Sequence, residues 1–411
     1  MAFQQALSGL NGASKAIDVI SNNIANSSTI GFKGAQTVFG DIYAAALNGA
    51  SAGVQVGIGT SVGAVAQSFN QGNITPTDNP LDIAINGAGF FRVVKSDGSV
   101  GYTRNGQYEI NKDGFLTNSA GYRLTGYPAN SLGQILPASP TDIRLDTSDL
   151  QPKETASVDL GINLDSRATV PTVPFTSTAA QPIPDPLSYN SSTSVTMFDS
   201  LGNSHIYTMY FVKTGGGTWD MHTSVDGGQT AGPTALSFDS GGVLTSTMPL
   251  TMSAPIAASF GANSPISFQL DFTGSTQYGS AFGVNKQLQD GFASGRLSGI
   301  TIGSDGTLQG RYSNGQSKVL GQIVLANFAN PNGLVSLGQN LWAEAPESGQ
   351  PLVGSPGTGS QGLLQAGALE ESNTDLTSSL VNLITQQRNY QANSQSIKTQ
   401  DTILNTLVNL G

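Results

Sequence analysis

Few side chains in this sequence are of the kinds that make and break bonds. The chain has no Cys, which removes thiol nucleophiles, disulfides and Cys-type zinc sites. Of its two histidines, His205 beside a turn has no ligand-type partner two to five residues on and His222 in a strand pattern has only Asp226, so they read as ordinary surface or sheet histidines. No Gly-x-Ser-x-Gly elbow with a strand-to-helix context stands out for a Ser-His-Asp triad. Gly57-Ile58-Gly59-Thr60-Ser61-Val62-Gly63 has the look of a phosphate loop, but no helical pattern follows it and its third Gly is misplaced, so it reads as connector.

The acidic residues point the same way. Asp78 and Asp82 sit in a Pro/Asn turn region, and Glu370 with Glu371 suits the acidic first turn of a C-terminal helix. Asp97-Gly98, Asp113-Gly114, Asp226-Gly227 and Asp305-Gly306 never continue as Asp-x-Asp-x-Asp-Gly, so they are hairpin turns rather than calcium loops. We therefore expect no catalytic constellation, no cofactor and no metal. A glycan-active enzyme would need paired carboxylates in a concave site, and no such pair emerges.

The elements that could organise the chain lie at its ends. Leu369 to Leu410 contains no Gly or Pro, and Leu376, Leu380, Leu383, Tyr390, Ile397, Leu404 and Val408 recur at steps of three, four or seven. That period near 3.5 predicts one long helix with a coiled-coil seam, roughly 50 Å long at ~1.5 Å per residue. Phe3, Leu7, Leu10, Ala13, Ile17, Ile20 and Ile24 predict a second amphipathic helix, ended in the region of Asn22, Asn23, Asn26 and Gly31. The second helix is a natural partner for the first.

Between them the texture is different. Of 411 residues 51 are Gly, only 11% are charged, and the net charge is −10 with no Lys/Arg cluster. This marks a turn-rich β middle and disfavours nucleic acid or an anionic membrane as partner. Residues 1–30 hold one basic residue, Lys15, among periodic apolar positions, so they do not read as a cleaved signal peptide. No apolar run is long enough to insert in a membrane.

The resulting fold class is a mainly β middle with long α-helical termini that pair as a coiled coil. Residues 1–28 with 373–411 form the helical domain, and 29–71 with 367–372 an extended connector with room for a short helix around Val38 to Leu47. Residues 72–145 with 290–366 form a discontinuous inner β domain, which carries an inserted all-β domain over 146–289.

Ser21-Asn22-Asn23-Ile24-Ala25-Asn26-Ser27-Ser28-Thr29-Ile30-Gly31-Phe32-Lys33 resembles the N-terminal signature of the bacterial flagellar rod and hook family. Glu370-Glu371-Ser372-Asn373-Thr374-Asp375-Leu376, Gln387-Arg388-Asn389-Tyr390-Gln391-Ala392-Asn393 and Thr399-Gln400-Asp401 resemble its C-terminal signature, with Thr374 where the family commonly has Val. Gly87-Ala88-Gly89-Phe90-Phe91, Tyr102-Thr103-Arg104-Asn105-Gly106 and Tyr312-Ser313-Asn314-Gly315 are similar to its middle motifs. Rod members lack a large insertion, whereas the block 146–289, with Thr196-Met197-Phe198-Asp199-Ser200-Leu201-Gly202-Asn203, is similar to the outer domain of hook-forming members.

The resemblance implies a structural subunit, not an enzyme, that self-assembles into the curved tubular hook, a universal joint carrying torque from rod to filament. It implies terminal helices lining the tube, the discontinuous domain in the middle layer and the insertion outermost. Implied partners are neighbouring copies, the distal rod and hook-filament junction proteins, the hook cap during assembly, and the flagellar type III export apparatus, with a final location in the hook outside the cell. The alternative is a distal rod protein with an insertion, forming a straight drive shaft.

Overall fold

The computed structural model describes residues 2–42, 57, 59–130, 132–257 and 261–409, the side chains of 2 and 407–409 excepted. The fold is mostly β with two long helices, α1 (Ala2–Ala25) and α2 (Leu376–Asn409). It divides into two compact units, one of Met1–Thr147, Gly299–Arg311 and Ser317–Gly411, the other of Ser148–Ser298 with Tyr312–Gln316.

In the first unit the main sheet runs Ser317–Ile323, Arg123–Pro128, Phe90–Val94, Val100–Thr103, Leu341–Ala343, Val335–Gly338, neighbouring strands antiparallel. Strands from the first half of the sequence sit together and are flanked on both sides by strands from the second half, which a β meander read locally does not reveal. Its aromatic core joins Phe90, Tyr102, Phe328 and Trp342 with Phe69. Phe69 meets Phe90 and Trp342 edge-on at 5.5 and 5.2 Å, the geometry aromatic quadrupoles prefer. Two short ladders then carry the chain's end back: Ile83–Asn86 pairs with Leu363–Ala366, and Ile74–Pro76 with Ala368–Glu370.

Two sequence expectations are corrected here. α2 begins at Leu376 rather than Leu369, because Ala368–Glu370 is a strand and the Asp375 carboxylate accepts the Ser378 N–H at 2.8 Å, capping the helix there. Glu370 is therefore no first-turn acid. The connector is not merely extended: β1 (Ala35–Ile42) pairs along its length with β2 (Gly59–Gln67). Val38 to Ile42 is strand where a short helix had room, since Thr37, Val38, Phe39, Val62 and Val65 favour a pleated pair. The rest of that helical reading, 43–47, lies outside the described residues.

The second unit is all β. One sheet orders Leu250–Ala254, Ile266–Asp271, Ser157–Asn163 and Gly283–Gln289; the other orders Ser191–Phe198, Ser204–Lys213, Thr218–Val225 and Ala231–Ser237. Alternate residues Tyr207, Met209 and Phe211 enter a core shared with Trp219, Phe268 and Phe272, as a half-buried strand's period of two requires.

Candidate functional site: the junction of the chain ends

At the end of α1 the Asn26 side chain donates to the Asn22 carbonyl at 2.9 Å, and Thr29 Oγ1 donates to Asn26 Oδ1 at 3.1 Å. These local bonds close the helix and bend the chain. Asn23 reaches back further. Its Oδ1 accepts the Ala35 N–H at 2.9 Å and its Nδ2 donates to the Ala35 carbonyl at 2.7 Å, so one side chain treats the start of β1 as a neighbouring strand would. The turn between them runs through Gly31 at φ 67°, where an added Cβ would lie 2.6 Å from the Arg104 carbonyl carbon. Only glycine fits this conformation and this approach.

This turn delivers Lys33 into the interior, where it meets Glu370. Lys33 Nζ lies 2.6 Å from Glu370 Oε1, and both side chains are 0% exposed. Lys33 also donates to the Asn70 carbonyl at 2.7 Å. Glu370 Oε2 takes Arg104 Nη1 at 3.0 Å, and its Oε1 takes the Gly72 N–H at 2.8 Å. Arg104 Nη2 donates to the Gly87 carbonyl at 2.8 Å, and its guanidinium lies 5.4 Å from the centre of the Phe90 ring. Burial pulls the Lys33 ammonium below the ordinary lysine value, against the opposing pull of Glu370, and acts likewise on Arg104.

Main-chain bonds cross the same seam. The Gly31 N–H donates to the Glu370 carbonyl at 2.7 Å, and the Glu371 N–H to the Asn73 carbonyl at 2.8 Å. Asn373 Oδ1 accepts the Gly34 N–H at 2.8 Å, while its Nδ2 donates to Ser68 and Asn70 carbonyls at 2.7 and 3.0 Å. Asn340 Nδ2 holds the Ile30 carbonyl at 2.9 Å. The site has the chemistry of a fastener: its charged and amide groups are engaged mostly with one another, the buried Arg104 Nε being left without a partner. Among the described residues no group of three or more His, Asp or Glu side chains is placed to hold a metal.

Comparison with known proteins puts this junction in context. Family models match in four stretches: flagella basal body rod protein over 3–33, flagellar hook protein FlgE/F/G D1 domain over 84–173, flagellar basal body protein FlaE D2 domain over 163–292, and flagellar basal body rod FlgEFG protein C-terminal over 365–410. The flagellar hook protein FlgE of Escherichia coli K12 is 45% identical over 416 residues that cover 100% of both chains. The chain belongs to the flagellar hook protein family. Flagellar hook protein FlgE of Salmonella typhimurium is 43% identical, again over 100% of both chains, and that of Borreliella burgdorferi 31%, over 100% of this chain and 99% of its own. Flagellar hook protein FlgE2 of Helicobacter pylori, 15% identical, shares the fold with a TM-score of 0.54 over 72% of this chain and 100% of that one.

In this hook-family chain the two terminal matches meet at the junction: one stops at Lys33, the other starts at Gln365, just before Glu370. Several signature residues have duties there. Asn22, Asn23, Asn26, Thr29, Gly31, Lys33, Asn373 and Asp375 make the bonds described, and Ser372 Oγ accepts the Thr374 N–H at 3.2 Å. Phe32 lines a polar groove of about 550 Å³ with Asn118 and Trp342. The buried Thr374 hydroxyl has no hydrogen-bond partner, which accords with a position that commonly holds Val. Ala25, Gln387, Arg388, Tyr390 and Gln391 are exposed, while Asn393 is half-buried opposite Gly9 of α1.

The apolar stripes are placed differently from a closed seam. On α1 the buried side chains are the small ones, Ala6, Ala13 and Ala16; Leu10, Ile17, Ile20 and Ile24 are half-buried, and Phe3 and Leu7 are exposed. On α2 Leu383 and Ile397 are half-buried, in line with Ser379, Gln386, Asn393 and Gln400. Leu376, Leu380 and Leu404 are 47%, 44% and 55% exposed, and the Val408 side chain lies outside the described residues. Small residues on α1 thus face inward, while Leu376, Leu380 and Leu404 of α2 lie outward.

His205 also departs from its sequence reading. It is buried, with Nδ1 2.7 Å from Asp226 Oδ2 and Nε2 3.3 Å from Asp199 Oδ2. Asp199 is six residues before it and Asp226 twenty-one after, so no short-spacing test finds either. Burial disfavours the charged ring, but the two carboxylates outweigh it and raise its pKa above the ordinary histidine value. His222 is half-buried and stacked on Phe175, ring centres 3.9 Å apart.

Proposed function

We propose that the chain is the structural subunit of the flagellar hook, which self-assembles into a curved tube and transmits torque from rod to filament as a universal joint. The observation that carries this is full-length likeness to proteins named flagellar hook protein, over both chain ends and the middle. The exposed Leu376, Leu380 and Leu404 support a role for α2 in contacts between copies. In this reading α1 and α2, over 1–28 and 373–411, pair as a coiled coil along the channel. Residues 72–145 with 290–366 form the middle layer, and 146–289 the inserted outer domain. The residues 29–71 with 367–372 are the connector that absorbs small φ/ψ changes as copies slide during bending.

The same reading gives the subunit the distal rod and hook-filament junction proteins as end partners, the hook cap as assembly partner, and the type III apparatus as its export route without a cleaved signal. Its role is mechanical rather than catalytic. Purified protein polymerised in vitro and viewed by electron microscopy should form hollow tubes that curve. Straight tubes would instead favour a distal rod role, and failure to polymerise under any condition would overturn the assembly role.

A further inference from the structure

We propose that Glu370 couples the two chain ends, so that 27–35 and 368–375 dock on the β body together or not at all. The inference goes beyond hook assembly, because it concerns a device inside a single chain. Three charged side chains meet in a chain with only 11% charged residues: two cations, Lys33 and Arg104, share the one carboxylate of Glu370. If the strand Ala368–Glu370 leaves, Lys33 keeps only the Asn70 carbonyl and faces the like charge of Arg104 with no anion between them. A buried cation stripped of its counter-ion is strongly disfavoured, so the N-terminal segment is driven out as well.

The dependence also runs the other way. If 27–35 leaves, the Glu370 carbonyl loses the Gly31 N–H and Asn373 Oδ1 loses the Gly34 N–H. Coupling of this kind is reciprocal by thermodynamic necessity. Arg104 alone stays with the β body, through Gly87, so it is the fixed pole to which both ends attach. The exit points of α1 and α2 are thereby set by one cluster, and a chain with only one end in place is not a stable state.

The test is amide hydrogen exchange on the full chain, comparing wild type with Glu370→Gln, Lys33→Met and the double variant. Glu370→Gln should speed exchange by about tenfold or more in both 27–35 and 368–375, because it takes the counter-ion from two buried cations, one of them on 27–35 itself. Exchange in Phe90–Val94 should stay as in wild type. Adding Lys33→Met removes the orphaned cation that 27–35 carries, while Arg104 stays on the β body with the Gly87 carbonyl, and should restore slow exchange in 27–35 to within about threefold of wild type. Faster exchange confined to 368–375 would overturn the proposal, as would a double variant no better protected than Glu370→Gln. Should Glu370→Gln fail to fold, the double variant decides: a folded chain with 27–35 protected supports the coupling, and one that also fails to fold refutes it.

Discussion

Gly31→Ala isolates the packing at the junction from every charge in it. Two effects add. A non-glycine residue in the left-handed region costs about 1–2 kcal/mol, and Gly31 has φ 67°. The new Cβ would also lie 2.6 Å from both the Arg104 carbonyl carbon and the Asn105 nitrogen, and 2.8 Å from the Arg104 oxygen. These are backbone atoms that cannot swing aside, so the segment must lift off, an overpacking cost of about 1–3 kcal/mol. The expected total is about 2–5 kcal/mol. Gly98 supplies the ruler: it has φ 83° and nothing within 4 Å of an added Cβ, so Gly98→Ala carries the first cost alone. The chain's two tryptophans, Trp219 and Trp342, fall one in each unit, and Trp342 lines the same groove as Phe32 and Lys33. In a Trp219→Phe background, urea unfolding followed by Trp342 emission therefore reports on the junction's own unit. At about 1–3 kcal/mol per molar urea, Gly31→Ala should unfold roughly 1 M earlier than Gly98→Ala. Equal midpoints would mean that the approach of Gly31 to Arg104 is not close, and the account of the turn would fail.

Other expectations follow from the same geometry. His205 has a raised pKa, so the stability it contributes is full below the unfolded value of 6.5 and is lost as pH climbs through the folded value. The urea midpoint read from Trp219 should fall as pH rises above the unfolded value of 6.5, and His205→Gln should flatten that slope; a flat wild-type profile would count against the imidazolium. Trypsin acting on monomer should cut first at Lys15, Arg388 and Lys398, which are exposed on the helices, while Lys33 and Arg104 are buried; even cutting across the chain would contradict this. Leu380→Glu replaces a 44% exposed side chain, so monomer stability should stay within about 0.5 kcal/mol while polymerisation is lost; tubes that form at the wild-type rate would remove that face of α2 from assembly.

How much was legible in the sequence depended on how local the signal was. Both helices, the hairpin from Ser191–Phe198 to Ser204–Lys213 and the Gly-based turns follow from periods and residue types inside a short window. Absence of Gly and Pro permits a helix from Leu369 without requiring one; the cap at Asp375 decides where α2 starts. Pairing of β1 with β2 carries no local signal, because the partners are separated in sequence and neither strand alternates cleanly. The junction was visible as motifs but not as chemistry. Lys33 and Glu370 are 337 residues apart, and nothing near either one shows that it is buried. The one usable hint was scarcity: in a charge-poor chain, a Lys, an Arg and a Glu inside three separate family motifs are candidates to pair.

A buried ion cluster at this point has a physical rationale other than stability. Pairs of this kind are worth little net, because desolvation offsets most of their attraction. What they supply is discrimination. The ladder that returns the chain's end, Ala368–Glu370 on Ile74–Pro76, is three residues long, and so short a pairing specifies its register poorly. A slip of one residue would turn Leu369 and Glu370 to opposite faces. In an apolar junction that slip would cost a fraction of the buried area. Here it would carry the Glu370 carboxylate away from Lys33, Arg104 and the Gly72 N–H at once, leaving two buried cations unpaired. The carboxylate thus adds a penalty for slippage to the main-chain bonds of Glu370 and Glu371 and to the adjoining Leu363–Ala366 ladder, and so helps fix the point from which a 34-residue helix leaves the β body.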